Sequence, residues 1–265
     1  MGDTNRQPAT IRFDAYEVDL QSGGLAGSPA ISAAAVFGPD DAWAFGALPD
    51  GRPYDLRYDG RRWAGVTLPA VLSGGPDALA PLSRDDMWAI ATTPTTVGEP
   101  AARQAHVLLH WDGVSWQPAA LPDLRLPAGE SGVPSGVAAG GSRDVWVTGY
   151  VVAKTAPVGA FLLRWDGTSW HRVGLPGPGL APGAVAQDGA GGLWLSASLP
   201  GGAASLYHYD GRRWTSQQVA AKKGYLTRLR ALSLIPGTRS LWASGSLEPA
   251  SPGAGHQAVI LKYGS

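Results

Sequence analysis

Asp144-Val145-Trp146, followed downstream by Trp165-Asp166-Gly167-Thr168-Ser169-Trp170, is the stretch that decides the fold, because the chain repeats it. The second phrase recurs as Tyr58-Asp59-Gly60-Arg61-Arg62-Trp63, as Trp111-Asp112-Gly113-Val114-Ser115-Trp116 and as Tyr209-Asp210-Gly211-Arg212-Arg213-Trp214, with a shortened copy at Tyr263-Gly264. Asp-Gly between two β-prone runs marks a tight hairpin, since Gly accepts the positive φ such turns need. Each copy follows an anchor tryptophan, and these anchors, Trp43, Trp88, Trp146, Trp194 and Trp242, are spaced by 45, 58, 48 and 48 residues. A period of that size, made of short strands and turns, is the mark of a β-propeller.

One repeat read in full predicts one four-stranded antiparallel blade. Ser135-Gly136-Val137-Ala138-Ala139 is an inner strand of small residues, and Gly141-Ser142-Arg143 is a turn. Residues 144–149, 161–165 and 170–175 follow as second, third and outer strands, the last stopped by Pro176. The fifth repeat runs out after Tyr263, before an outer strand. The spare N-terminal run Tyr16-Glu17-Val18-Asp19-Leu20 is expected to supply it, closing the last blade and leaving no open edge. The expectation is an all-β, five-bladed propeller forming a single domain over residues 1–265, with residues 1–9 as a flexible tail.

Composition bounds the function. Lys plus Arg equal Asp plus Glu at 21 each, so no basic excess exists to neutralise a phosphate backbone, and nucleic acid is not an expected partner. The chain has no cysteine, which excludes disulfide and thiolate chemistry. No run approaches the roughly 20 apolar residues that span a bilayer as a helix. Met1-Gly2-Asp3-Thr4-Asn5-Arg6-Gln7 lacks the apolar core of a signal peptide. An extracellular or cell-surface protein whose export signal is absent from this chain is the favoured expectation, and a cytoplasmic one is compatible. Four lysines among 21 cations, with abundant Ala, Gly and Pro, point to a high-GC bacterial source.

At these residues the chain resembles kelch-like and other bacterial β-propeller repeat proteins. Kelch repeats also place an aromatic-Asp pair before an outer-strand tryptophan, followed by Leu and often Pro, as in Tyr58-Asp59 to Trp63 and then Leu68-Pro69. They differ in carrying a Gly-Gly pair where this chain has Asp-x-Trp. The turn is also similar to the Asp-box of sialidase-type propellers, although Asp166 and Trp170 lie four apart rather than five. In size and blade number the chain resembles five-bladed lectin propellers. The resemblance implies fold, and no binding or catalytic residue of these families maps onto this sequence.

A residue present in every blade is most economically explained by blade construction. All eleven tryptophans occupy repeated positions: five on second strands, four on outer strands, and Trp111 and Trp165 in the turn slot. Burying a large aromatic side chain contributes about 2–3 kcal/mol, so packing between blades is reason enough for them. The five anchors are therefore expected as scaffold. So is the cation preceding each turn aromatic, Arg57, His110, Arg164, His208 and Lys262, by packing on the nearby Trp or pairing with the turn Asp. His106 and His256 are expected in loops, and no His-x-His, His-Glu-x-x-His or calcium-loop spacing occurs, so no metal site and no cofactor are expected.

Chemistry at a propeller belongs at the mouth of the channel, where inner strands begin. The four glutamates, Glu17, Glu99, Glu130 and Glu248, all lie outside the inner strands, and no Gly-x-Ser-x-Gly elbow occurs, so no catalytic residue is named. Aligning inner strands on the anchors puts Ser32, Asp77, Ser135, Gly183 and Arg230 in equivalent slots, two of them charged and of opposite sign. Three long loops, 92–105, 122–134 and 222–228, add Arg103, Arg125, Tyr225 and Arg228 as rim contacts. The sequence reading is a monomeric, non-catalytic binding propeller. Its protein or carbohydrate ligand is contacted by Asp77, Arg103, Arg125, Tyr225, Arg228 and Arg230. The alternatives are an enzyme (hydrolase, lyase or cyclase of a small polar molecule) at the channel mouth and a lectin with one site per blade.

Overall fold

Asp-Gly turns and β-rich runs become strands at the expected places. The structure is a computed structural model that describes residues 12–13, 16–17, 30–48, 52–69, 75–93, 106–154, 156–219, 222–250 and 255–264. It is all-β among these residues and holds five blades of a propeller, in two units divided between Ala120 and Leu121.

The first unit begins with a small hairpin of β1 (Arg12–Phe13) and β2 (Tyr16–Glu17). Blade one is β3 (Ala30–Gly38), β4 (Asp41–Ala47), β5 (Pro53–Tyr58) and β6 (Trp63–Gly65), each paired antiparallel with the next. Blade two repeats the order with β7 (Pro76–Ser83), β8 (Asp86–Thr92), β9 (His106–Trp111) and β10 (Trp116–Ala119). In the second unit, blade three is β11 (Glu130–Gly141), β12 (Asp144–Ala153), β13 (Ala156–Trp165) and β14 (Trp170–Val173). Blade four is β15 (Ala181–Gln187), β16 (Leu193–Ser198), β17 (Ser205–Tyr209) and β18 (Trp214–Gln218). Blade five has three strands only, β19 (Tyr225–Leu234), β20 (Leu241–Pro249) and β21 (Gln257–Tyr263).

That corrects the expected closure by residues 16–20. Tyr16 and Glu17 pair with Phe13 and Arg12, and residues 18–20 and the expected tail 1–9 lie outside the described residues. A two-residue hairpin satisfies backbone groups locally, without the loop-closure entropy that pairing across the whole sequence would cost.

Each turn aspartate closes its hairpin with its own carboxylate. Oδ1 of Asp166 accepts from the N–H groups of Thr168 and Ser169 at 2.8 Å, and Asp59, Asp112 and Asp210 do the same for the residues two and three further on. These backbone donors hold all four carboxyls below the usual range, with His171 adding to the effect at Asp166. Gly at the next position is obligatory, with φ of 88–92° at Gly60, Gly113, Gly167 and Gly211. The aromatics on either side lie tilted against one another, with centroids 5.0–5.8 Å apart in the four hairpins. Turn carboxylates and turn rings thus serve the hairpin itself, while the four aspartates remain exposed.

The repeated Arg or His lies on the anchor tryptophan and pairs with an Asp at the start of the second strand in blades one to three, and with Asp188 in the turn before it in blade four, rather than with the hairpin-turn Asp. Arg57 sits 5.4 Å from the Trp43 ring and 3.4 Å from Asp41; Arg164 sits 4.9 Å from Trp146 and 2.8 Å from Asp144. His110 stacks on Trp88 at 4.3 Å and meets Asp86 at 2.9 Å, and His208 stacks on Trp194 at 4.4 Å and meets Asp188 at 2.8 Å. The cross-strand registers Trp43↔Arg57, Trp88↔His110, Trp146↔Arg164 and Trp194↔His208 bring each cation over its ring.

With that face covered, the anchor packs against the following blade. Trp43 meets Trp111 edge-on at 5.1 Å in a core that also holds Phe45, Met87, Leu109 and Trp116. Trp146 meets Tyr209 at 5.9 Å, and Trp194 joins Leu206, Leu229, Leu241 and Tyr263. Trp242 departs from the expected pattern: it is 48% exposed, where Trp43, Trp88 and Trp146 are 1, 7 and 0%. Its blade has Lys262 opposite it but Ser240 and Leu241, not Asp, before it.

Two of the four outer-strand tryptophans, Trp116 and Trp214, add a polar staple to the preceding blade. Trp214 Nε1 donates to the Gly174 carbonyl at 2.8 Å, and Trp116 Nε1 donates to Asp55 Oδ2 at 2.8 Å. Asp55 is 1% exposed, and its Oδ1 has no hydrogen-bond partner among the described residues. Burial pushes its carboxyl up to about 8, against the opposing pull of the Trp116 N–H.

Two measurements check these assignments. Trp146→Ala should lower unfolding free energy by about 3–5 kcal/mol, through lost burial and a large cavity, whereas Trp242→Ala should cost less than about 1 kcal/mol, read from urea melts. For Asp55, the folded state keeps its proton while the unfolded chain ionises near pH 4. Stability should therefore fall as pH rises from about 4 to about 8, by up to about 1.4 kcal/mol per unit, and level off above. Asp55→Asn should remove that decline from the melting-versus-pH profile and raise stability at neutral pH.

Candidate functional site

Five inner strands break register with their neighbours at one equivalent place. The slips fall between Ile31 and Ala33, Pro76 and Ala78, Pro134 and Gly136, Pro182 and Val185, and Leu229 and Ala231. The residues left over are Ser32, Asp77, Ser135, Gly183 with Ala184, and Arg230. The slots aligned from the sequence are therefore β-bulges, which unpair a residue and re-aim its side chain. Proline precedes three of them, at Pro76, Pro134 and Pro182, where a missing N–H suits a broken ladder.

In the first unit, Asp77 is an exposed bulge carboxylate. Thr92 Oγ1 donates to its Oδ2 at 2.7 Å, and His106 Nδ1 lies 3.6 Å from the same oxygen. His106 is the first residue of β9 and not a loop residue, and the blade's second strand ends at Thr92. Ser32 Oγ turns inward to the Phe45 carbonyl at 3.4 Å.

In the second unit, small residues let three inner strands approach closely. A Cβ on Gly136 would lie 3.4 Å from the Gly183 carbonyl oxygen, and one on Gly183 would lie 3.7 Å from that of Leu229 and 2.6 Å from Ser196 Oγ. Ser135 Oγ, at the first of these bulges, is buried and has no hydrogen-bond partner among the described residues. At the third, Arg230 projects outward, its side chain 72% exposed and held by a single 3.4 Å contact from Nη2 to Glu248 Oε1. Arg228 Nε takes the other Glu248 oxygen at 3.1 Å, while its Nη1 donates to the Gly202 carbonyl of the neighbouring blade. On the other face of the same strands, Lys222 Nζ donates to Gln257 Oε1 at 2.6 Å, Gln257 Nε2 donates to Tyr225 OH at 3.1 Å, and the ammonium lies 4.9 Å from the Tyr225 ring.

Where the inner strand of blade five begins, Arg228 and Arg230 share Glu248 on one face of the sheet, and Lys222, Tyr225 and Gln257 form a second cluster on the other. Two arginines sharing one glutamate leave positive charge over, and the open part of the Arg230 fork can grip a carboxylate or a phosphate.

Of the residues named from sequence, Arg228 and Arg230 come together on Glu248, while Tyr225 lies on the same strand, β19 and not a loop, but on its other face. Arg125 lies on the loop entering blade three, with φ at 51° and its N–H bonded to Asp123 Oδ1 at 2.8 Å. Asp77 has its partners in blade two, and Arg103 lies outside the described residues. Glu248, Lys222 and Gln257 were not among the residues named. Their roles depend on the β19–β20 register, in which Leu226 faces Glu248, and on the turn around Gly224.

No family model and no curated protein matches the chain. Among solved structures it is similar to YCF48 from Cyanidioschyzon merolae, with 16% identity over 89% of this chain and 73% of that one and a TM-score of 0.49. It is similar to the six-bladed fucose-binding lectin of Aleuria aurantia, at 14% identity, 87% and 82% coverage and a TM-score of 0.48. A gluconolactonase of Xanthomonas campestris matches at 18% identity, 83% and 71% coverage and a TM-score of 0.48. The chain spans 63% of the YCF48 structure bound to a D1 peptide, at 16% identity and a TM-score of 0.49. These are likenesses of blade architecture, and no ligand or activity is transferred from them.

Proposed function

We propose that this protein is a non-catalytic binding propeller that holds a protein or glycan ligand where its inner strands begin. The carrying observation is that the bulge position changes its chemistry between blades, with serine at Ser32 and Ser135, glycine at Gly183 and opposite charges at Asp77 and Arg230. Scaffold positions repeat because every blade meets the same packing demand. A slot that is structurally repeated and chemically varied serves recognition. Arg230 and Tyr225, both on β19, are the contacts, and Arg228 and Glu248 orient Arg230.

Catalysis fits the site less well. The paired carboxylates of glycoside hydrolysis would have to flank a substrate, whereas Glu248 is engaged by two arginines. Neither the 670 Å³ nor the 350 Å³ cavity of the second unit is lined by Arg230 or Glu248.

Arrays of peptides and glycans probed with the labelled protein supply the ligand, and the double variant Arg230→Ala/Tyr225→Ala supplies the test. The variant should melt like the parent, because exposed ion pairs contribute about 0–1 kcal/mol, yet bind the selected ligand at least about tenfold more weakly. Undiminished binding, or turnover of an arrayed compound, would overturn the reading.

A further inference from the structure

Blade three is longer than the others. β12 and β13 have ten residues each, where β4 has seven and β5 has six. β14 has four and stops at Val173, opposite Leu162. From Ala156 to Phe161, β13 is therefore paired with β12 on one side and carries no strand on the other. The hairpin bond from Asp166 N–H to the Ser169 carbonyl fixes which residues face outward. Counting back by twos in an antiparallel ladder puts the N–H and C=O of Arg164, Leu162 and Ala160 on that edge. Arg164 and Leu162 meet β14; Ala160 has no such partner among the described residues.

A groove of about 670 Å³ runs beside this edge. Pro157 to Phe161 form one wall, and Gly174, Leu175 and Leu180 belong to the other. Tyr150 also lines it, its hydroxyl donating to the Pro182 carbonyl at 2.6 Å, which fixes the ring. The lining is apolar, with Val158 55% exposed, and its one charged residue is Arg172. Arg172 Nη1 donates to the Leu124 carbonyl at 3.2 Å, and the residue remains exposed.

Free strand edges are usually blunted by lysine, proline or a bulge. Here Pro157 and the register slip beside Val158 close the far end only. The stretch left open, Val158 to Phe161, spans about 13 Å at about 3.3 Å per residue. Its unpaired donor and acceptor match a backbone in the extended conformation, its groove takes apolar side chains, and its cation has no carboxylate among the lining residues. We propose that the groove binds an extended peptide segment of a partner protein, added as a strand to the open edge of β13, with an acidic side chain against Arg172. This site belongs to a different blade from the Arg230 cluster and does not depend on it.

The probe is a capped, dye-labelled hexapeptide of alternating valine and glutamate, titrated by fluorescence anisotropy against the full chain. Saturable binding below about 1 mM is expected, with a valine–lysine peptide at least about tenfold weaker. Methylating one alternate set of peptide nitrogens should abolish binding and methylating the other should spare it, because a strand pairs along one edge. Ala160→Pro removes an outward N–H and no ladder bond, so it should fold normally and lose at least about tenfold in affinity. Arg172→Glu should reverse the preference between the two peptides, and it carries the test should Ala160→Pro melt early. Absence of saturation, equal binding of both methylated peptides, or full binding by a folded Ala160→Pro would overturn the proposal. Dimerisation that Ala160→Pro abolishes would assign the groove to a second copy and overturn it equally.

Discussion

Everything in a blade depends on keeping one face of its anchor tryptophan covered. The cross-strand cation does this, held over the ring by the aspartate that opens the same strand. The geometry serves both partners: the indole face attracts the cation, and the cation keeps an aspartate contact instead of being left unpaired against an apolar surface. Arginine and histidine both fill the slot, one by cation–π contact and the other by stacking, so the demand is for a flat group with a donor at its rim. Once that face is closed, the rest of the ring can be buried against the next blade, as Trp43 is against Trp111 and Trp146 against Tyr209. Blade five lacks the aspartate and carries a lysine, and its tryptophan is half exposed.

Two outer tryptophans show one contact made by two chemistries. Trp116 and Trp214 each donate their indole N–H across the seam, whereas the buried Nε1 of Trp63 has no hydrogen-bond partner among the described residues. In the second unit the acceptor is the Gly174 carbonyl, which carries no charge and does not titrate. In the first unit it is Asp55, whose burial makes that seam pH-dependent. The difference follows from the registers. Asp55 lies on the third strand of its blade, paired with Phe45, whereas Gly174 lies just past the end of β14.

Repetition makes a stable frame but leaves little room for recognition, since each repeated residue is already spoken for. Departures from the repeat fall where the ladder is interrupted. A bulge takes one residue of each inner strand, and two in blade four, out of the ladder, and those residues range from glycine to arginine. Lengthening β12 and β13 beyond β14 is the other departure, and it uncovers backbone instead of re-aiming a side chain. Both changes alter the surface without disturbing the tryptophan stack.

The sequence by itself determined the blades. Asp-Gly turns and the anchor period depend on local backbone geometry and on side chains close in sequence, so Trp165 to Trp170 reads as a hairpin without any tertiary knowledge. The equivalence of Ser32, Asp77, Ser135, Gly183 and Arg230 was also legible, because each sits at a similar distance before its anchor. That they are bulges was not, since a bulge is a property of two strands in register. The partner of each cation likewise needed the pairing of second and third strands: Asp144 meets Arg164 across the ladder, while the turn Asp166 is taken by its own amides. Only the tertiary structure put Glu248 between Arg228 and Arg230, exposed Trp242 and left the Ala160 edge bare. Each of these depends on where one strand stops relative to its neighbour, and strand ends are set by the surrounding packing rather than by the residues of the strand itself.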